Sequence, residues 1–332
     1  MFPILEAGWG VQSVQQFQQM TSLNGEFGGN KYFRFQMYDK WYFFKQNHSD
    51  TKRQQVSDDT ELHSREYGVP TRKVLPTVDG KTHFKDKRTG FTYSVYEYID
   101  GEHFDGSRIE LLEAASNIAT LHRALAALPI SQEVDDTKEP FFHHNRELLL
   151  ELLEKFNRPV FQPLIGKLSL TIEEIKEISL EVSRQLPTNL HQQVIHHDLH
   201  PHNMLFDRNE STPLAILDFE QIVRSQLLRD IALGMHRFAR THGFLTERQH
   251  DIGASLKNRA ESFLDQYNKI RPHNNQELKW LITILRDECL DRVTIVLSKF
   301  VDKPSPQLTA ELKKQLTLLK ECELFSFSSK TP

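Results

Sequence analysis

Cysteine is nearly absent: Cys289 and Cys322 are the only two in the chain. They lie far apart and form no CxxC, so neither a disulfide framework nor a cysteine-based zinc site is expected, and a reducing compartment is the natural setting. Glycine and proline are sparse at 14 each, which excludes collagen-like and long disordered chains. No apolar run approaches the ~20 residues of a membrane-spanning helix. The opening Met1-Phe2-Pro3-Ile4-Leu5-Glu6 lacks the cationic region of a leader, so a cytoplasmic protein with no membrane partner is expected. Positive charge is not in excess either. Lys plus Arg number 41 against 45 Asp plus Glu, a net charge of -4, so no global cationic field draws nucleic acid and no such partner is expected.

What is present suits a globular protein. Hydrophobic residues make up 38% and charged residues 26% of 332, enough for a sizeable core. At about 150 residues per domain the length predicts two domains or lobes. The 16 histidines identify no site by number alone.

Strand signals fill the first third. Tyr32 to Tyr38, a turn at Asp39-Lys40, and Trp41 to Lys45 read as two aromatic strands, and Phe91 to Ile99 as a third ended by Asp100-Gly101. Ahead of them Asn24 to Asn30 places Gly25, Gly28 and Gly29 in one short loop. The polar stretch from Asp50 to Gly68 reads as a surface helix or a loop. After residue 105 the period becomes helical, with Leu111, Leu112, Ala115, Ile118, Ala119, Leu121 and His122 on one stripe and Leu148 to Phe156 beginning another. Near the C-terminus Ile282, Leu285, Leu290, Val293 and Leu297 share a helix face. One segment breaks the helical pattern: the loop His196 to Asn203, a strand at Met204 to Phe206, a turn, and a strand ending at Asp218. The expected plan is α+β, with an antiparallel-sheet lobe over 1–97, a linker over 98–104 and a helical lobe over 105–332 holding a small hairpin.

The hairpin carries the chemistry. Asp198 and Asn203 flank one short loop, and Asp218 ends a strand that can fold back beside it, so three oxygen donors can converge. Oxygen donors suit magnesium, which keeps several waters and takes one or two side chains plus substrate phosphates. A carboxylate not bound to metal can accept a proton from an attacking hydroxyl. Singly, Asp198 and Asn203 read equally as turn formers.

Together, His196-x-Asp198-Leu199-His200-Pro201-His202-Asn203 and the later Leu217-Asp218-Phe219-Glu220 resemble the aminoglycoside phosphotransferase and choline kinase superfamily, small-molecule relatives of protein kinases. The resemblance spans roughly residues 20 to 300, with its specific motifs between 196 and 230. It implies a protein-kinase-like two-lobe fold and an ATP- and Mg-dependent kinase that phosphorylates a hydroxyl of a small-molecule acceptor. By resemblance Asp198 is the base, Asn203 and Asp218 hold metal, and His196 braces the loop. His200 stands where protein kinases have a lysine near the transferring phosphoryl group, so catalysis and loop packing both remain open for it. The glycine loop would cover phosphates through its backbone N–H groups, Lys45 would reach them, and the Glu97 and Ile99 backbone would read the adenine edge. Asp230 would support the loop, a helix N-cap being the alternative.

There are departures. The family's strand lysine pairs with a helix carboxylate, and Glu61 and Glu66 are both candidates for Lys45. His197 and His202 replace small residues. The helices after 245 resemble the branch containing type II homoserine kinase. Two other readings are a nucleotide-binding pseudokinase and a metal-dependent hydrolase built on His196, His197, His200 and His202, which would suit zinc or iron.

Overall fold

A computed structural model describes residues 1–20, 31–47, 51–129, 145–246 and 252–325. The expected loop glycines Gly25, Gly28 and Gly29 lie outside the described residues.

The chain opens with helix α1 (Phe2–Trp9) and strand β1 (Gln16–Met20), neither apparent from the sequence. The aromatic hairpin forms as predicted. β2 (Lys31–Met37) and β3 (Lys40–Asn47) pair antiparallel, with Phe33 opposite Phe44 and Phe35 opposite Tyr42. Its turn falls at Tyr38 and Asp39, one residue earlier than predicted, with φ of 51° and 61°. Positive φ at both positions gives the two-residue turn whose twist matches that of the strands. β4 (Phe84–Lys85) and β5 (Thr92–Glu97) complete a sheet of order β1-β2-β3-β5-β4, antiparallel throughout. Alternation along β2 and β3 turns Phe35 and Phe44 onto one face, where they bury with Leu5 and Val95. Each such side chain contributes roughly 1.5–3 kcal/mol on leaving water.

Helix α2 (Thr51–Glu66) follows the sheet, and it is no surface helix. Gln54, Ser57, Asp58, Glu61 and Ser64 are buried along it. Hydrogen bonds make this tolerable: Asn47 to Gln54 at 2.5 Å, Gln54 to Asp58 at 2.8 Å, and Ser64 to the Thr60 carbonyl at 2.8 Å. Helix α3 (Arg108–Ala127) buries the stripe read from the sequence except Leu112, which is half-buried, and its Ser107 N-cap accepts from Glu110 N–H.

The hairpin around the motif takes the predicted form. β6 (Glu102–His103), β8 (Met204–Phe206) and β9 (Pro213–Ile216) make a small antiparallel sheet, while β7 (Gln192–Ile195) leads into the motif loop and β10 (Val223–Gln226) leads out. By contacts the chain divides into two compact units, one of residues 1–137 and 194–224 and the other of 138–193 and 225–332. Within the first unit β8 pairs with β6, the Ile216 N–H donates to the Pro70 carbonyl at 2.8 Å, and α3 packs on α2 and β9. The hairpin therefore belongs with the sheet.

The second unit is helical: α4 (Arg146–Phe156), α5 (Ile172–Gln185), α6 (Leu227–Thr246), α7 (Ile252–Ile270), α8 (Leu281–Phe300) and α9 (Pro306–Glu321). α8 is buried on nearly every side, with Leu281 inside where Ile282 was expected. Its Asp287 and Glu288 are buried too, and both carboxylates take Arg229, at 2.6 and 2.5 Å. The described residues thus have the predicted α+β class, sheet in the N-terminal part and helices in the C-terminal part. Among them no helix is long and apolar enough to cross a membrane.

Candidate active site

The motif loop is held from within by its own side chains. His196 is fully buried; its Nε2 donates to the Leu217 carbonyl at 2.9 Å and its Nδ1 accepts from Asp198 N–H at 3.3 Å. That pairing selects one tautomer and ties the loop to the segment after β9 that carries Asp218. The Asn203 amide donates to the Asp198 carbonyl at 2.9 Å and to Asp198 Oδ2 at 3.1 Å, which orients both side chains. His200 Nδ1 accepts from His202 N–H at 3.2 Å, capping the turn Pro201–Asn203, and leaves Nε2 toward Asp198 Oδ2 at 3.5 Å. Loop packing and a place beside the carboxylate are therefore one arrangement for His200. His197 sits at φ 64°, the left-handed region that glycine adopts without strain.

Asp218 also lies in the left-handed region, at φ 59°. There it meets Lys45, whose ammonium is 2.8 Å from Asp218 Oδ1 and 2.5 Å from Glu220 Oε1. Lys45 is no edge lysine: it is 1% exposed in β3, between Tyr32 and Ser94 of the neighbouring strands. Burial favours loss of its proton, but Asp218 and Glu220 outweigh burial and hold its pKa above the ordinary value. Burial likewise works against the Asp218 carboxylate. Lys45 and, behind it, Arg72 overcome this and bring its pKa down to about 2.

Neither Glu61 nor Glu66 pairs with Lys45. Glu66 is exposed at the end of α2. Glu61 is taken by Arg72, whose Nε and Nη2 reach its two oxygens at 3.0 and 2.9 Å while the Arg72 backbone N–H donates at 3.0 Å. The physical reason is fit: a planar guanidinium satisfies both oxygens of a buried carboxylate, which a lysine cannot. Arg72 also stacks 4.0 Å over the Tyr96 ring and places Nη1 3.9 Å from Asp218. Sequence reasoning missed Arg72 altogether. Glu220 was within reach of it, since two residues after Asp218 in a tight turn is where a second carboxylate for Lys45 can stand.

Beside these groups lies a cavity of about 240 Å³. Its lining includes the apolar Phe43, Tyr98, Leu205 and Leu217, the linker residues Glu97 and Ile99, and the polar Asn203 and Asp218. Gly101 lets the linker approach the hairpin, since a Cβ there would meet the Phe206 carbonyl oxygen and a Leu214 methyl at 3.0 Å. The four motif histidines do not converge: His196 faces a carbonyl and His200 faces Asp198. Among the described residues no three His, Cys, Asp or Glu side chains form a metal cage. Asp230 is buried in the first turn of α6 and is not its N-cap.

A buried lysine held by an aspartate thus stands beside an aspartate–asparagine loop and a small cavity that the aspartate and the asparagine both line. The profile of the phosphotransferase enzyme family (APH) matches residues 38–264, and the chain belongs to that family of small-molecule kinases. Solved structures share its kinase-like fold. An amicoumacin kinase, hAmiN, in complex with AMP-PNP, Ca2+ and Ami is 13% identical at a TM-score of 0.72, over 98% of this chain and 94% of that one. Spectinomycin phosphotransferase APH(9)-Ia with ADP and spectinomycin is 12% identical at 0.71, over 97% and 95%. A microcompartment-associated aminopropanol kinase is 11% identical at 0.63, over 93% and 90%. Among curated protein sequences none matches.

Proposed function

We propose that the protein transfers the γ-phosphoryl group of ATP to a hydroxyl of a small molecule in a magnesium-dependent reaction. The observation that carries this reading is the meeting of Lys45 with Asp218, 173 residues apart in sequence and 2.8 Å apart in space, beside a cavity that Asp218 lines. Adenine would lie between Phe43 and Leu217, against the backbone of Glu97 and Ile99, with residues 98–104 as the linker between nucleotide and acceptor lobes. Lys45 would hold the phosphates.

The donor set fits magnesium. Asn203 spends its amide N–H groups on Asp198, which leaves its oxygen, and Asp218 supplies a carboxylate kept ionised by Lys45. These two would hold the ion, which supplies charge neutralisation at the phosphates. The acceptor hydroxyl oxygen forms a bond to the γ-phosphorus as the bond to the β,γ-bridging oxygen breaks, and ADP leaves with that oxygen. Asp198 accepts the hydroxyl proton. His200, donating toward Asp198, positions that carboxylate.

Two substitutions test the assignment. Asp198→Asn keeps the shape and removes the basic charge, so turnover should fall by about 10²-fold or more with Mg-ATP binding retained. Asp218→Asn should weaken Mg-ATP binding as well. Calorimetric titration of Mg-ATP, together with turnover on a panel of amino alcohols, hydroxy amino acids, sugars and aminoglycosides, reads both. The roles are wrong if Asp198→Asn abolishes binding while Asp218→Asn leaves it intact.

A further inference from the structure

A second cavity, of about 740 Å³, opens on the sheet between the start of α2 and the segment running from Thr77 through β4 to Lys87. Lys52, Lys81, Lys85 and Lys87 line it against one carboxylate, that of Asp79, with His83 also in its lining. In a chain of net charge -4 this is a local reversal of sign. Concavity matters here, because a low-dielectric hollow with walls of one sign concentrates the field that a flat surface would lose to water.

The lysines stand on fixed backbone. Lys81 closes a turn in which its N–H donates to Thr77 Oγ1 at 3.0 Å, its carbonyl accepts from Thr77 N–H at 2.8 Å, and Gly80 N–H donates to the Thr77 carbonyl at 2.9 Å. Lys85 lies in β4 opposite Thr92. Lys87 begins a turn that Asp86 organises through Arg88 N–H at 3.1 Å and Thr89 Oγ1 at 3.1 Å. Among the described residues Lys81, Lys85 and Lys87 have no carboxylate partner. His83, also in the lining, is 9% exposed, and its Nδ1 lies 3.3 Å from Asp58 Oδ2.

We propose that this cavity is an anion site distinct from the phosphotransfer site, and that it takes a small molecule carrying several phosphoryl groups in series. Four lysines from separate segments around one hollow call for a ligand with several negative charges close together, and lysine meets phosphate as a mobile point charge. The volume falls in the range of small-molecule pockets. The site shares α2 with the active site: Asp58, the partner of His83, also accepts from Tyr96 Oη at 3.4 Å, and the Tyr96 ring lies beneath Arg72.

The test uses the full-length chain and sodium tripolyphosphate, titrated calorimetrically without divalent cations. Three proteins are compared: wild type, Lys45→Ala, and the triple variant Lys81→Glu/Lys85→Glu/Lys87→Glu. The triple variant should lose one class of sites, with affinity at least about tenfold weaker, while Lys45→Ala keeps that class. The affinity should fall as salt rises from 50 to 200 mM, as expected for partly exposed charges (~8 Å Debye length at 0.15 M). All three substituted side chains are exposed, and a circular dichroism melt verifies folding; if the triple variant unfolds, the single variants Lys81→Ala and Lys87→Ala carry the comparison. Unchanged binding in the groove variants overturns the site. So does loss of all binding in Lys45→Ala, which would place tripolyphosphate only at the active site. Binding of long polyphosphate or nucleic acid without tripolyphosphate overturns the small-ligand assignment.

Discussion

Arg72 grips Glu61 with two guanidinium nitrogens and its own backbone N–H, and both side chains are buried. Breaking a buried pair strands a charge, which costs roughly 3–5 kcal/mol. Glu61→Ala should therefore lower the urea midpoint by that amount of stability, and Glu61→Gln, which keeps an acceptor, by less. Replacing both partners with apolar side chains of similar size, Glu61→Leu/Arg72→Met, should recover much of the loss. A double variant as unstable as Glu61→Ala would show that the pair is needed for more than mutual neutralisation.

At Gly101 the linker touches the hairpin with no room for a side chain. Gly101→Ala sets a methyl against the Phe206 backbone oxygen, which cannot swing aside, so a destabilisation of about 1–3 kcal/mol is expected. Because the displaced linker lines the cavity, Mg-ATP affinity should fall in the same variant. Thermal melts and titration read the two effects separately.

His197 holds a left-handed conformation that costs a residue with a Cβ about 1–2 kcal/mol. His197→Gly and His197→Ala remove the same imidazole, so their difference isolates the backbone. The glycine variant should be the more stable by about 1 kcal/mol in chemical denaturation. Equal stabilities would mean that the loop relaxes out of the left-handed region.

Asp291 gives a pH dependence with a definite sign. Burial raises its pKa well above the usual 3.8, and repulsion from Asp287 and Glu288 adds to this against the pull of Arg229. A proton held more tightly in the folded chain contributes stability fully present below 3.8 and lost as pH rises toward the folded value. Asp291→Asn removes that loss. Its melting temperature at pH 7 should exceed wild type by on the order of a few degrees, and the gain should vanish toward pH 3. A gain that persists undiminished at pH 3 would refute the ionisation argument.

The motif was legible because its geometry is local: Asp198 and Asn203 are five residues apart, and a strand–turn–strand is short enough to bring Asp218 back. The aromatic hairpin was legible through its alternation. α2 was not, since apart from Val56 its buried residues are polar, Gln54, Asp58, Glu61 and Ser64 among them, and a polar residue inside looks like one outside until its partner is known. Arg72 was hidden for the same reason, as nothing near it in sequence announces a carboxylate eleven residues away on a helix. β1 escaped because its glutamine-rich side chains are exposed or half-exposed, and an edge strand needs only backbone pairing on one side.

The compact unit that holds the candidate active site is assembled from two stretches of chain, 1–137 and 194–224. During synthesis the sheet with Lys45 emerges long before Asp218, and the intervening 138–193 must be made first. Until about residue 224 has left the ribosome, Lys45 has neither of its carboxylate partners, and a lysine bound for a buried position must wait in water. Pairing across 173 residues also carries the loop-closure cost that slows folding. A nascent chain stalled before Asp218 would thus display a sheet whose interior lysine has neither Asp218 nor Glu220 to neutralise it.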